Sequence, residues 1–170
     1  SAQSCNIDKT GRRIMNEILT RIKQEIAAKV SPQNKEAFEK AVIAGEKIMF
    51  ENQDSHSHLE IVKNPEGVRQ NPPQAVAQGV AGLMYVMFMQ SKQTMKYEVL
   101  IMAGVVLLCE AIDFAERGLG IPFDNKMIAT ATKILSENLF NKLGITPEIL
   151  QDAIRKGQSA VQNQSTNAQP

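Results

Sequence analysis

The sequence predicts an all-α fold, a compact bundle of five to six helices with two central apolar members, and three observations predict it. Apolar residues recur at helical spacing through most of the chain. Helix starts and stops fall at matching places, with Ser31-Pro32, Asp124 and Thr146-Pro147-Glu148 opening segments and Gly118, Gly120 and Gly144 closing them. Two runs of eleven apolar or small residues, Gly79–Met89 and Val99–Cys109, have the length and flanks of buried central helices. We find neither the alternation of a half-buried strand nor an internal repeat at fixed period.

The first helix is read from about Lys9 to Lys29, because Ile14, Ile18, Ile22 and Ile26 recur every four residues beside Met15 and Leu19. Arg12, Arg13, Arg21, Lys23 and Glu25 surround that stripe. A second helix opens with Ser31 as N-cap and Pro32 at the first helical position, where the missing N–H costs nothing. Phe38, Val42, Gly45, Ile48 and Met49 form its expected inner face. From Asn52 to Pro73 the pattern breaks at Asn64-Pro65, Gly67 and Asn71-Pro72-Pro73, and we expect a long loop. A third helix starts at Pro73 and holds the first apolar run; a fourth, from about Thr94 to Arg117, holds the second. Asp124 caps a fifth, lined by Met127, Ile128, Ala131, Ile134, Leu135, Leu139 and Leu143. A short last helix carries Ile149, Leu150 and Ile154. Residues 1–157 are read as one helical domain and 158–170 as a polar tail, flexible until something holds it. The opening "SAQSCN" is the start expected after removal of an initiator Met.

The two apolar runs raise the question of a membrane. A spanning helix needs about 20 apolar residues, and each run here is bounded by Gln78 and Gln90 or by Glu98 and Glu110. Length therefore favours core helices. Their glycines add a second expectation. Ala75, Gly79 and Gly82 fall on neighbouring positions of one face, and Gly104 sits midway along the next helix. A mid-helix glycine costs about 1 kcal/mol relative to alanine, which a tight helix crossing can offset, within one subunit or between copies. Met84, Met87 and Met89 crowd the same helix, and methionines suit both core filling and an adaptable partner surface. These seven residues are the candidate contacts for oligomer or partner.

Catalytic and metal chemistry find little footing. The charge of +1 carries no nucleic-acid footprint: nine Lys/Arg against six Asp/Glu in residues 1–50, then five against eight in 51–123, is a mild bias. Cys5 and Cys109 are expected as two reduced thiols, not a disulfide framework. Asp54, His56 and His58 stand within five residues, yet a closed zinc site needs four ligands and no cysteine is near in sequence. Glu110, Asp113 and Glu116 stack along one helix face, but no histidine stands three residues after a glutamate, as bundle di-metal sites require. Cys109 follows an apolar run and precedes Glu110, a setting that raises a thiol's pKa. Phosphate-binding loops, nucleophile elbows and zinc-protease motifs are missing from the sequence. We expect no enzyme, no cofactor and no metal.

The segment "NPPQAVAQGVAGLMYVMFMQSKQTMKYEVLIMAGVVLLCEAIDF", residues 71–114, resembles small helical virion-associated structural proteins of tailed bacteriophages. The features that carry the resemblance are the Asn-Pro start, the "AVAQGVAGLMY" helix and the second apolar helix ending in "LLCEAIDF". It covers about a quarter of the chain and brings no catalytic residues. The resemblance implies a virion component in many copies: an internal protein released with the genome, or part of the head–tail or tail assembly. Its partners would be copies of itself and other virion proteins, with a host membrane added if it is ejected. It would be cytoplasmic in the host before assembly. The alternative from the residues alone is a soluble adaptor or regulatory bundle that binds a partner through the Met-rich face.

Overall fold

The computed structural model describes residues 4–50, 65–146, 148, 151, 152 and 155, and for residues 4–13 and 65 the backbone alone. Its elements are α1 (Ser4–Lys29), a 3-10 turn (Pro32–Asn34), α2 (Lys35–Phe50), α3 (Pro65–Gln70), α4 (Pro72–Gln90), α5 (Tyr97–Leu119) and α6 (Asn125–Leu143). Among the described residues there is no strand, and the all-α expectation holds.

The core is built around α5. Val106, Leu107, Leu108 and Cys109 are consecutive and all buried, so helices cover every side of α5 at that level. α1 and α2 pack on one flank and α4 and α6 on the other, with α4 and α6 also paired along most of their length. α4 buries ten of its nineteen residues, among them Val76, Val80, Leu83 and Met84. α6 presents Ile128, Ala131, Leu135 and Leu139 to it. That three-and-four spacing is why one face of α6 suffices, whereas α5 is apolar nearly all round.

The ends of the helices have local causes. α5 stops at Gly120, which takes a left-handed φ of 66°, and the Ile121 N–H donates back to the Ala115 carbonyl at 2.9 Å. Asp124 then caps α6, its carboxylate accepting from the Met127 N–H at 2.7 Å. α4 ends without a glycine. Lys92 and Gln93 both take positive φ, and the Gln93 N–H donates to the Phe88 carbonyl at 3.0 Å.

Several boundaries differ from the sequence reading. Within the expected 52–73 loop, Pro65–Gln70 is helical, with a proline at its first position, Glu66 in the first turn and Val68 buried to 1% exposure. Residues 51–64, with Asp54, His56 and His58, lie outside the described residues, as do Ile149, Leu150, Ile154 and the tail 158–170. α4 begins at Pro72, one residue early, so that both prolines sit where their absent N–H groups are not needed. Ser31 does not cap α2; a 3-10 turn intervenes and its hydroxyl goes elsewhere. Of the expected inner face of α2, Phe38, Gly45 and Met49 are buried with Ala41, while Val42 and Ile48 are half-buried. Among the described residues no helix is long and apolar enough to cross a membrane.

Candidate functional site

The isoleucine stripe of α1 does not stay on one side of the helix. A step of four residues advances about 40° around an α-helix, so the four isoleucines wind slowly across its face. Met15 and Leu19 are buried at 7% and 1%; Ile18, Ile22 and Ile26 are half-buried; Ile14 is 52% exposed. On the side of Ile18 and Ile22, α1 does not close against α6. An open groove of about 660 Å³ separates them, with Asn125, Ile128, Ala129, Thr132, Lys133 and Ser136 as its α6 wall. The hydroxyls of that wall are already used. Thr132 Oγ1 donates to the Ile128 carbonyl at 2.9 Å and Ser136 Oγ to the Thr132 carbonyl at 3.0 Å. The groove presents mostly hydrocarbon, with the Asn125 amide and the Lys133 ammonium as the polar groups of its α6 wall.

Two polar ties hold α1 and α2 to α5. At the first, Lys23 Nζ donates to Glu110 Oε1 at 2.6 Å, and both side chains are largely covered. Glu46 of α2 faces the same pair. Burial raises its pKa, repulsion from Glu110 adds to that, and Lys23 opposes it. Cys109 lies beside them, and burial pushes its thiol up to about 11, with Lys23 lowering and Glu110 raising it. A thiol so placed stays protonated at neutral pH and is a poor nucleophile. At the second tie, Glu98 in the first turn of α5 receives the Ser31 N–H at 3.0 Å, the Ser31 hydroxyl at 2.5 Å and the Asn34 amide. Burial alone would raise the Glu98 pKa, but these donors outweigh it, and the net shift is downward.

The acidic row of α5 is taken up piece by piece. Glu110 pairs with Lys23, Asp113 with Arg117 one turn on, and Glu116 Oε1 accepts from the Phe123 N–H at 3.0 Å. Among the described residues no group of three or more His, Cys, Asp or Glu is placed to hold a metal ion.

The seven candidate contact residues do not share a surface. Gly79, Met84, Met87 and Gly104 are buried inside the chain, Ala75 and Gly82 are half-buried, and Met89 is 45% exposed. Met84 and Gly104 do meet: a Cβ on Gly104 would stand 3.5 Å from Met84 Cγ, an ordinary contact. A Cβ on Gly82 would meet nothing within 4 Å. The glycine of closest approach is Gly45, where a Cβ would stand 2.3 Å from Leu107 Cδ1. Its place in sequence, in line with Phe38, Ala41 and Met49, is the signal that finds it. The Glu98 tie had no such signal, because Ser31-Pro32 reads as a local cap and Glu98 is 67 residues away.

Compared with protein families, with curated proteins and with solved structures, the chain matches none.

Proposed function

We propose that this protein is a non-enzymatic structural component of a tailed-phage virion that assembles in multiple copies, as an internal, ejected protein or as part of the head–tail or tail assembly. The resemblance of residues 71–114 gives the class, and one observation supports multiple copies. α1 runs antiparallel to α5, with Ser31 level with Glu98 and Lys23 level with Glu110. α5 ends at Leu119, nine residues past Glu110, and Ile14 stands nine residues before Lys23. Ser4–Arg13 therefore continues as helix past the end of α5, for about 15 Å at 1.5 Å per residue. Ile14 lies exposed where that arm leaves the body. A helical arm with an uncovered isoleucine at its root is suited to a symmetry mate.

The adaptor reading relies on a Met-rich face, and of Met84, Met87 and Met89 only Met89 reaches the surface. Sedimentation velocity on the purified chain tests the proposal. We expect a species several times the 18.8 kDa chain that shifts to lower mass when residues 4–13 are deleted. An unchanged sedimentation coefficient on deletion would assign assembly, if present, to another face.

A further inference from the structure

Two helix connections lie side by side at one end of the bundle. α1 ends at Lys29 and α2 starts at Lys35; α4 ends at Gln90 and α5 starts at Tyr97. Glu98 joins the two, because it accepts from the Ser31 N–H, the Ser31 hydroxyl and the Asn34 amide. The last turn of α6 reaches the same end, with Lys142 Nζ 5.6 Å from the centre of the Tyr85 ring on α4. This end therefore carries Lys29, Lys35, Lys92, Lys96 and Lys142, all of them exposed.

The lysines are short of anionic partners. Among the described residues, Lys29, Lys35, Lys92 and Lys96 form no ion pair. Of the acids nearby, Glu36 pairs with Lys40 and Glu98 is turned onto Ser31 and Asn34. Glu39 stands a turn further along α2, and Glu148 follows the turn at Gly144. Apolar atoms stand among the ammonium groups. Met89, in the last turn of α4, is 45% exposed, and Met95 and Tyr97 across the turn are half-buried. The Tyr97 ring stacks on Phe88, the residue before Met89, with ring centres 6.4 Å apart, so the two sides of the turn are tied together.

An exposed thioether among unpaired lysines matches the boundary layer of an anionic bilayer. Apolar side chains enter the headgroup region there, while the long lysine stems carry their ammonium groups to the lipid phosphates. The phosphates of a nucleic acid would engage the lysines as well, but they would leave Met89 in water. We propose that this lysine-bearing end, with Met89 among the lysines, docks on anionic lipid headgroups. The contact is peripheral, since among the described residues no helix is long and apolar enough to cross a membrane. It does not rest on the proposed virion role, because Ile14 and the helical arm lie at the other end of α1.

Flotation of the full chain with lipid vesicles tests it. Vesicles of phosphatidylcholine with about one-third phosphatidylglycerol should carry the chain, and vesicles of phosphatidylcholine alone should leave it behind. A lysine near such a surface strengthens binding about fivefold, so Lys92→Gln with Lys96→Gln should weaken it about thirtyfold. Lys47→Gln with Lys126→Gln removes the same charge from the opposite end of the bundle and should leave binding within about twofold of the parent. Met89→Gln should weaken it about fivefold at unchanged charge. Should the Lys92 and Lys96 changes lower the melting temperature, Lys29→Gln with Lys35→Gln repeats the comparison from the neighbouring connection. Equal binding to both kinds of vesicle, binding to neither, or equal losses from the two ends would overturn the proposal. No loss in Met89→Gln would mean that nothing apolar enters the bilayer and would overturn it too. Duplex DNA bound through Lys92 and Lys96 more tightly than the anionic vesicles would assign this end to nucleic acid and overturn it equally.

Discussion

Two buried glycines in facing helices should respond to alanine with opposite sign. Any mid-helix Gly→Ala change gains about 1 kcal/mol from the backbone. At Gly104 the new methyl would stand 3.5 Å from Met84 Cγ, 3.6 Å from Leu139 Cδ1 and 3.7 Å from Leu135 Cδ2, all ordinary contacts, so the gain is kept. At Gly45 the methyl would stand 2.3 Å from Leu107 Cδ1 and 2.9 Å from Cδ2. Leu107 is wholly buried, so the end of its side chain must retreat by about 1 Å or more within a close-packed interior. Overpacking of that kind costs about 1–3 kcal/mol, which leaves Gly45→Ala destabilised by about 1 kcal/mol net. The two variants should differ by about 2 kcal/mol. Urea unfolding reads this as midpoints about 1 M apart, at an m-value of about 2 kcal/mol/M, with Gly104→Ala above the parent and Gly45→Ala below it. If Gly45→Ala unfolds at or above the midpoint of Gly104→Ala, the close α2–α5 approach at Leu107 is not as described.

The remaining predictions concern the polar ties. Glu98 has a lowered pKa, so its contribution is present above its ordinary value of 4.5 and lost as pH falls through the folded value; Glu98→Gln should cost about 1 kcal/mol at pH 7 and converge on the parent in acid, by pH-dependent denaturation. Glu46 has a raised pKa, so its contribution is fully present below 4.5 and lost as pH rises through the folded value; Glu46→Gln should stabilise the chain at pH 7 and converge on the parent in acid. In a Cys5→Ser background, Cys109 should react with a thiol reagent at pH 8 only after urea is added, since burial holds it protonated at about 11; fast labelling of the native chain would contradict that.

Much of the fold was legible because its determinants are local. Asp124 capping α6, Gly120 and Gly144 closing helices, and the two apolar runs as central helices each depend on residues a few positions apart. What was not legible depends on contacts between distant segments. The spacing of Ser31 fits a local cap, yet Glu98 offers its hydroxyl and N–H a charged acceptor. Asn64-Pro65 and Gly67 are turn residues and point to loop over Pro65–Gln70, whereas the burial of Val68 that helps hold the helix is tertiary. The glycines show the same limit. Spacing alone placed Gly79, Gly82 and Gly104 in tight crossings, but the Gly104 surroundings leave room for a methyl and Gly82 faces open space. The candidate site was half visible: the Ile14–Ile26 stripe is plain in the sequence, but the drift that uncovers Ile14, and the groove beside Ile18 and Ile22, need α6 in place.

We propose that copies of this chain associate through α1, at the exposed Ile14 where the helical arm leaves the body. Light scattering on Ile14→Glu beside the parent, across a range of concentrations, decides between association at this face and none. A multimer is expected for the parent, and for Ile14→Glu a mass near the single chain's 18.8 kDa with unchanged helicity, because the substitution is at a position already half open to water. A parent that stays at 18.8 kDa at every concentration, or an Ile14→Glu chain that assembles as the parent does, would contradict it.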